Sequence, residues 1–412
     1  MSESSSHPDS PAAEQQNAER QVVRVLVGTS VIGKTADYGL MLVAPLAVLG
    51  ATGSVAGAIL TFALRGVAYA ISPIIGVYLD RYERRGMFAA AQVQQALCVV
   101  VAALFLDREW VVAAALFLSG LGGVAASLSS QFVLIPELIA PDNRARVVAR
   151  VSSSIEFAKV LGFLGGGVVL AALDARAATL GIAALYGIAG LWAMRLPRVP
   201  VQPARTSLRG DLAVGFRWLV KPEIGWLVLS MAVSNLALGG LGSVLVTLMG
   251  DRGTNPTLIS ATLAIGLFIG AWGAQLTPRA LPSWSLQARI LLFQALAAVG
   301  FGLLVLEPPV WVVILAWSVN SFALGLSNVV SITYRQEAIP VHLAGRINSV
   351  IRMFIAGAVP LSGMTYALAE ARGWWLWGPA VVLEAAALLI WLLHTVRGNH
   401  DRQLTTGGAT GS

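Results

Sequence analysis

Six ionisable residues lie inside long apolar stretches of this 412-residue chain: Lys34, Asp37, Arg65, Glu156, Lys159 and Glu384. A charged side chain at the centre of a membrane helix costs roughly 2.5–3.5 kcal/mol, so each is a candidate for function. Spacing groups them. Ser30, Lys34, Asp37 and Met41 fall at i, i+4, i+7 and i+11, one face of a helix. Ser152, Glu156 and Lys159 form a similar stripe, and Arg65 stands near the middle of its own stretch, 54–79. Two kinds of chemistry fit. Lys34–Asp37 and Glu156–Lys159 are i,i+3 pairs that can neutralise each other and hold a bundle together. Alternatively, three cations against two carboxylates leave surplus positive charge. That surplus can receive an anionic group, a carboxylate or an ionised catechol, and release Asp37 or Glu156 to carry a proton.

The elements around these residues are set by composition. The chain is 56% hydrophobic and 12% charged, against about 25% charge in ordinary soluble domains. Crossing a bilayer takes about 20 apolar residues in a helix. Twelve such spans are predicted: 22–50, 54–79, 87–106, 110–139, 147–172, 177–195, 223–250, 256–278, 287–306, 309–335, 347–370 and 374–395. Buried helices of soluble proteins rarely keep this length and purity, which excludes a large soluble bundle. Residues 1–21 are polar, lack the basic-then-apolar order of a signal peptide, and are expected to be a disordered tail, as are 397–412. With both termini in the cytoplasm, four of the 28 Lys and Arg fall outside (Arg108, Arg176, Arg252, Arg372). Lys34, Arg65 and Lys159 lie within spans, and the other 21 lie at or near the cytoplasmic side. This positive-inside bias sets the orientation and accounts for the net charge of +7. A basic balance of this origin gives no sign of nucleic acid as a partner.

The middle of the chain divides six spans (22–196) from six (223–396). The stretch RLPRVPVQPARTSLRGDLAVGFRWLVKPE opens Pro-rich and basic, then places Leu212, Val214, Phe216, Leu219 and Val220 among charges. Its second part suits a short amphipathic helix on the cytoplasmic face, within a linker at 197–222. The halves repeat: ELIAPDNRARVVARV at 137–151 lies on EAIPVHLAGRINSVI at 337–351 with an offset of 200, pairing Ile139 with Ile339 and Arg146 with Arg346. Two six-helix halves in parallel repeat leave such weak symmetry.

The second half is nearly free of charge at depth. Its polar groups are Asn235, Gln275, Asn320, Ser321 and Asn328, with Asn320 and Asn328 on one face. These amides can contact a substrate or bond between helices at about 0.6 kcal/mol each. Trp272, Tyr334 and Tyr366 can contact a ring-bearing ligand, although most membrane aromatics pack or anchor. One cysteine, Cys98, gives no intramolecular disulfide, and the four histidines avoid mid-membrane, which argues against an imidazole metal cage. No phosphate-cradling G-x-x-x-x-G-K-[ST] and no nucleophilic triad is present. The expectation is no cofactor, no bound metal and no enzymatic activity.

The charged loop GVYLDRYERRG, 76–86, separates two stretches of oil. Its Gly76-x-x-x-Asp80-Arg81-x-x-Arg84-Arg85 resembles the loop 2–3 signature of the major facilitator superfamily, with Glu83 where glycine is common. The resemblance covers 22–396 and implies an all-α membrane protein of twelve helices in two six-helix bundles, a monomeric secondary transporter working by alternating access. It implies that Gly76, Asp80, Arg81, Arg84 and Arg85, with Arg146 and Arg346, form a conformational latch when the cytoplasmic side closes. The alternative for these arginines is topology alone. Spans one, two, four and five line the N-terminal half of the cavity in that family, so Lys34, Asp37, Arg65, Glu156 and Lys159 are expected to meet there. Span twelve is usually peripheral, which favours a structural role for Glu384.

SVIGKTADYGLMLVAPLAVLGATGS, DRYERR and GFRWLV look like the branch of enterobactin exporters and macrolide efflux pumps. That likeness implies export, across the inner membrane, of a siderophore or similar amphipathic, anionic metabolite, with the proton as coupling ion. The antiporter signature of span five appears only loosely at Gly162–Gly167, without its proline, and span four lacks the common arginine. Alternatives are a multidrug efflux pump, a small-anion importer, a ferroportin-like metal exporter and, in a different class, a non-transporting scaffold or receptor.

Overall fold

The computed structural model describes residues 11–72, 74–75, 82–129, 134–198, 208–339 and 344–407. Those residues are helical almost throughout. The N-terminal half contains α1 (Pro11–Thr52), α2 (Val55–Val67, continued by a 3₁₀ turn Ala68–Ile71), α3 (Arg84–Leu104), α4 (Glu109–Leu128), α5 (Pro141–Ala172) and α6 (Ala175–Ala193). A connecting helix, α7 (Leu208–Leu219), follows. The C-terminal half contains α8 (Pro222–Leu238), α9 (Leu241–Asp251), α10 (Pro256–Leu276), α11 (Leu286–Val305), α12 (Val310–Ala338), α13 (Ala344–Ala371) and α14 (Gly378–Gly407). Among the described residues, eleven segments are long and apolar enough to cross a membrane, α8 and α9 counting as one, and Val55–Ile71 is a shorter apolar helix. This is a multi-pass membrane protein.

Local signals account for the helix starts. Ser54 Oγ accepts from Gly57 N at 2.9 Å, Asp174 from Ala177 N at 2.8 Å and Ser285 Oγ from Ala288 N at 3.2 Å. Glu83, the departure from the loop signature, caps α3: its carboxylate accepts from Arg85 N at 3.2 Å and Gly86 N at 2.7 Å. The pseudo-repeat is visible in backbone geometry. Ile139 and Ile339 each leave the helical ladder in extended conformation while donating back four residues, to Ile135 O at 3.1 Å and Arg335 O at 3.0 Å. The residues that follow them at matched positions, Val147 and Ile347, then Val151 and Ile351, are all buried.

Three differences from the sequence reading have physical causes. The helix of span one begins at Pro11 rather than about 22. Residues 12–20, AAEQQNAER, are good helix formers, and Glu19 is held by Asn143 Nδ2 of α5 at 3.0 and 3.2 Å. At the other end, α14 continues to Gly407, past the start of the expected tail at 397. Span seven is broken at Gly239–Gly240. Its first part stops with Gly239 N donating to Asn235 O at 2.8 Å, and its second starts with Val244 N donating to Gly240 O at 3.1 Å.

In the N-terminal half α1 packs on α5 and α6, α3 on α4 and α6, and α2 on α4. In the C-terminal half α12 packs on α10 and α11, and α8 on α13 and α14. The connecting helix α7 lays Val214, Trp218 and Leu219 against Ile224, Ile347 and Ile351. Between the halves, α2 meets α13, α5 meets α10, and α1 and α2 meet α9. The α2–α13 seam is made of small residues. A Cβ on Gly66 would stand 2.9 Å from Pro360 Cβ, one on Gly363 would stand 2.5 Å from Ala63 Cβ, and Gly357 faces Ala70. At the end of the molecule away from the termini, Leu46 presses on Gly250 and Gly167 on Ser260, so the halves touch there.

Candidate functional site

Asp37 lies at the meeting point of four helices. Lys34, one turn back on α1, donates to its Oδ2 at 2.6 Å. Arg65 of α2 donates to Oδ1, and the Tyr186 hydroxyl of α6 donates to the same oxygen at 2.6 Å. Arg65 Nη2 also reaches Tyr186 Oη at 2.9 Å and Gln95 Oε1 of α3 at 3.0 Å. The room for Arg65 comes from the SGLGG run of α4. A Cβ on Gly120 would strike the Arg65 carbonyl, and one on Gly123 would come within 3.4 Å of Nη2. The cluster holds two cations and one carboxylate, a surplus of one positive charge in a largely buried place (side-chain exposure 21% for Lys34, 14% for Arg65, 12% for Asp37).

This cluster forms one wall of a cavity of about 350 Å³ between the halves. Lys34, Asp37, Tyr38, Met41, Arg65 and Tyr69 contribute from the N-terminal side, with Gly120 and Gly123. Across the seam are Gly239, Gly240 and Ser243, from the break of span seven, and Val359, Pro360 and Gly363 of α13. A much smaller pocket of about 20 Å³ lies behind Lys34 and Asp37, lined by Ser30, Gln92 and Gln95. The helical stripe expected on span one, Ser30, Lys34, Asp37 and Met41, thus faces these two spaces.

The break is built by α13. Ser362 Oγ accepts from Gly240 N at 2.9 Å and donates to Ala237 O at 3.2 Å, and Tyr366 Oη donates to Ala237 O at 2.9 Å. Glycine is required because a Cβ on Gly240 would stand 2.7 Å from Gly363 N, and one on Gly239 would stand 2.8 Å from Val359 Cα.

The structure does not bring the second stripe to the same place. Lys159 pairs with Glu156 at 2.7 Å, lies 5.6 Å from the Tyr38 ring centroid, and neither lines the cavity. Glu156 is half-exposed. The periodicity put them on one face, but the rotation of α5 turns that face behind Tyr38. The amides of the second half bind helices. Asn235 Nδ2 donates to Ile355 O at 3.0 Å, buried Asn320 Nδ2 donates to Ala297 O at 2.9 Å, and Asn328 is exposed. Tyr366 serves the break, Tyr334 packs on Trp391 and Trp272 on Phe322. Glu384 is buried and accepts from Ser234 Oγ at 2.8 Å.

Of the loop signature, Gly76, Asp80 and Arg81 lie outside the described residues. Arg84 opens α3 and is buried, and Arg85 donates to Met194 O at 3.4 Å and Leu196 O at 3.3 Å within its own half. Arg146 and Arg346 lie in α5 and α13, and their side chains are outside the described set. Sequence reasoning missed Tyr186, Gln95, Tyr69, Ser243 and the Gly239–Gly240 break. The glutamines of AQVQQAL and the Gly-Gly doublet inside apolar runs were the available signals.

A search of curated proteins finds no sequence relative of this chain. Solved structures match in fold. The nucleoside transporter NupG is 13% identical with a TM-score of 0.73, over 92% of this chain and 98% of its own. A bacterial homologue of the iron transporter ferroportin in its inward-facing state is 17% identical with a TM-score of 0.70, over 92% of this chain and 98% of its own. The outward-facing state of a bacterial ferroportin homologue scores 0.56 at 17% identity, over 91% and 99%. The Major Facilitator Superfamily signature matches residues 26–364, and the chain therefore belongs to that family of membrane transporters.

Proposed function

We propose that this protein is a proton-coupled secondary transporter that exports a small amphipathic metabolite bearing an anionic group, a siderophore or a compound like it. The observation that carries the reading is the surplus positive charge of Lys34, Asp37 and Arg65 on the wall of the inter-half cavity. An anion near Lys34 competes with Asp37 for that cation, so occupancy of the cavity and the protonation of Asp37 are linked, and Asp37 is the group through which substrate and proton are coupled. The cavity's 350 Å³ lies at the lower end of the range for small-molecule sites and fits one catechol-carboxylate unit. Contact between the halves away from the termini, and the better match to an inward-facing neighbour, support a site reached from the terminal face. With the basic loops on the cytoplasmic side of the inner membrane, that face is the cytoplasm, which suits loading for export.

The same cavity size supports a second reading, uptake of a small anion. The latch in loop 2–3 and Arg146 and Arg346 remains part of the proposal. The test is metabolite secretion. The gene is deleted, cells are grown without iron, and iron-free siderophore is quantified inside and outside by mass spectrometry. Internal accumulation with external loss, restored by the wild type and not by Asp37→Asn, is expected. Unchanged secretion would reject siderophore export and direct the search to small anions and drugs.

A further inference from the structure

Across the cavity from Lys34 and Arg65, the break of span seven presents the start of α9. The first turn of any helix leaves backbone N–H groups without intrahelical acceptors. Here Gly240 N is satisfied by Ser362 Oγ, and Val244 N donates to Gly240 O. The N–H of Ser243 has no acceptor among the described residues, for neither Gly239 O nor Gly240 O receives it. On the carbonyl side of the break, Ala237 O takes two hydroxyl donors.

Ser243 is an independent sign. It is 5% exposed, and it lines the cavity. Its hydroxyl has no hydrogen-bond partner among the described residues. Thr247, Thr262 and Thr365 all turn their hydroxyls back to the carbonyl four residues earlier, at 3.0, 2.8 and 2.9 Å. Ser243 does not. A nine-tenths-buried hydroxyl that forgoes this bond, beside its own free amide, has room for an acceptor from the cavity.

The two walls then carry the same sign. One holds two cations to one carboxylate, and the other is the positive end of a helix dipole, equivalent to about half a charge. We infer that the N-terminus of α9 and the Ser243 hydroxyl form the second half of an anion site, which a carboxylate fills by bridging to Lys34 and Arg65. An amide and a hydroxyl at a helix start suit a planar carboxylate, which has lone pairs for both walls. The inference rests on the anionic reading above and adds the residues of the opposite half that recognise the anion.

The test is equilibrium binding of radiolabelled benzoate and 2,3-dihydroxybenzoate to the full-length protein in lipid nanodiscs, with the uncharged amides as competitors. The wild type is expected to bind the acids, and the amides are expected not to displace them. Ser243→Ala is expected to weaken binding roughly tenfold, the worth of one hydrogen bond to a charged group. Ser243→Asp places a carboxylate where a helix start tolerates it and is expected to abolish binding with the melting temperature retained. Wild-type affinity in both Ser243 variants, alongside a loss in Lys34→Gln, would overturn this inference and leave the anionic reading standing. Failure of the wild type to bind either acid would overturn both.

Discussion

In the N-terminal half, the largely buried Asp37 meets Lys34, Arg65 and Tyr186, while in the C-terminal half buried Glu384 meets, among the described residues, only the Ser234 hydroxyl. Both carboxyls lie within apolar spans of homologous bundles. One is compensated from three helices, α1, α2 and α6. The other has, among the described residues, an Oε1 with no hydrogen-bond partner and no cation in an ion pair with it. A shared backbone plan therefore carries two electrostatic designs. The N-terminal bundle concentrates charge against the cavity, and the C-terminal bundle contributes amide and hydroxyl dipoles. On the anionic reading proposed above, a charged ligand would engage the first directly and the second through the break of span seven.

The sharpest way to break this contrast is Asp37→Asn. It leaves Lys34 and Arg65 without their carboxylate, and stripping one member of a buried ionic cluster costs roughly 3–5 kcal/mol. Gradient-driven uptake into inverted vesicles is expected to vanish, and the melting temperature to fall. The double variant Lys34→Gln/Asp37→Asn restores charge balance and is expected to recover stability without transport. Full transport by the single variant would end the role of Asp37.

A smaller effect tests whether the halves are alike in packing as they are unlike in charge. Gly120 lies against the Arg65 carbonyl, and Gly325 against the Gly270 carbonyl, each leaving no room for a Cβ. Gly120→Val and Gly325→Val are both expected to lose about 1–3 kcal/mol by overpacking. A melting temperature lowered by only one of them would show that close packing, too, is one-sided.

Tyr186→Phe removes the hydroxyl that joins Asp37 to Arg65, without emptying space. A loss of about 1 kcal/mol in stability is expected, with transport slowed several-fold. Unchanged rates would reduce Tyr186 to packing. The smallest effect belongs to Glu384→Gln, which keeps the shape and an acceptor for Ser234. A change below about 0.5 kcal/mol and normal transport are expected, as for a substitution that disturbs no charge pair. Abolished transport would move the proton pathway into the C-terminal half.

Much of this was legible in the residue order, for physical reasons that also mark where legibility stopped. Apolar length is imposed by the bilayer, so the spans could be counted, although the polar helix former AAEQQNAER was misread as tail. Period 3.6 showed that Lys34 and Asp37 share a face, and they pair. The same period placed Glu156 and Lys159 on a common face of α5 but could not say where that face points. Tyr186 left no signal and Gln95 only the polarity of its run, because no spacing within a span reveals which other span it touches. The break at Gly239–Gly240 showed only as a glycine doublet, since both of its sides are equally apolar.

The seam between α2 and α13 bears on the cost of motion. Gly66 against Pro360, Ala63 against Gly363 and Ala70 against Gly357 present almost no rotatable side chains. Long side chains that interlock across a surface must abandon one set of rotamers and find another whenever that surface shifts, and each lost or reset choice carries an entropic toll of up to about 2 kcal/mol. Glycine, alanine and proline have no such choices to forfeit. Along this strip a tilt of one half against the other resets few rotamers, so its entropic toll falls instead on the long side chains, Leu42, Phe163 and Met249 among them, that pack between the halves elsewhere.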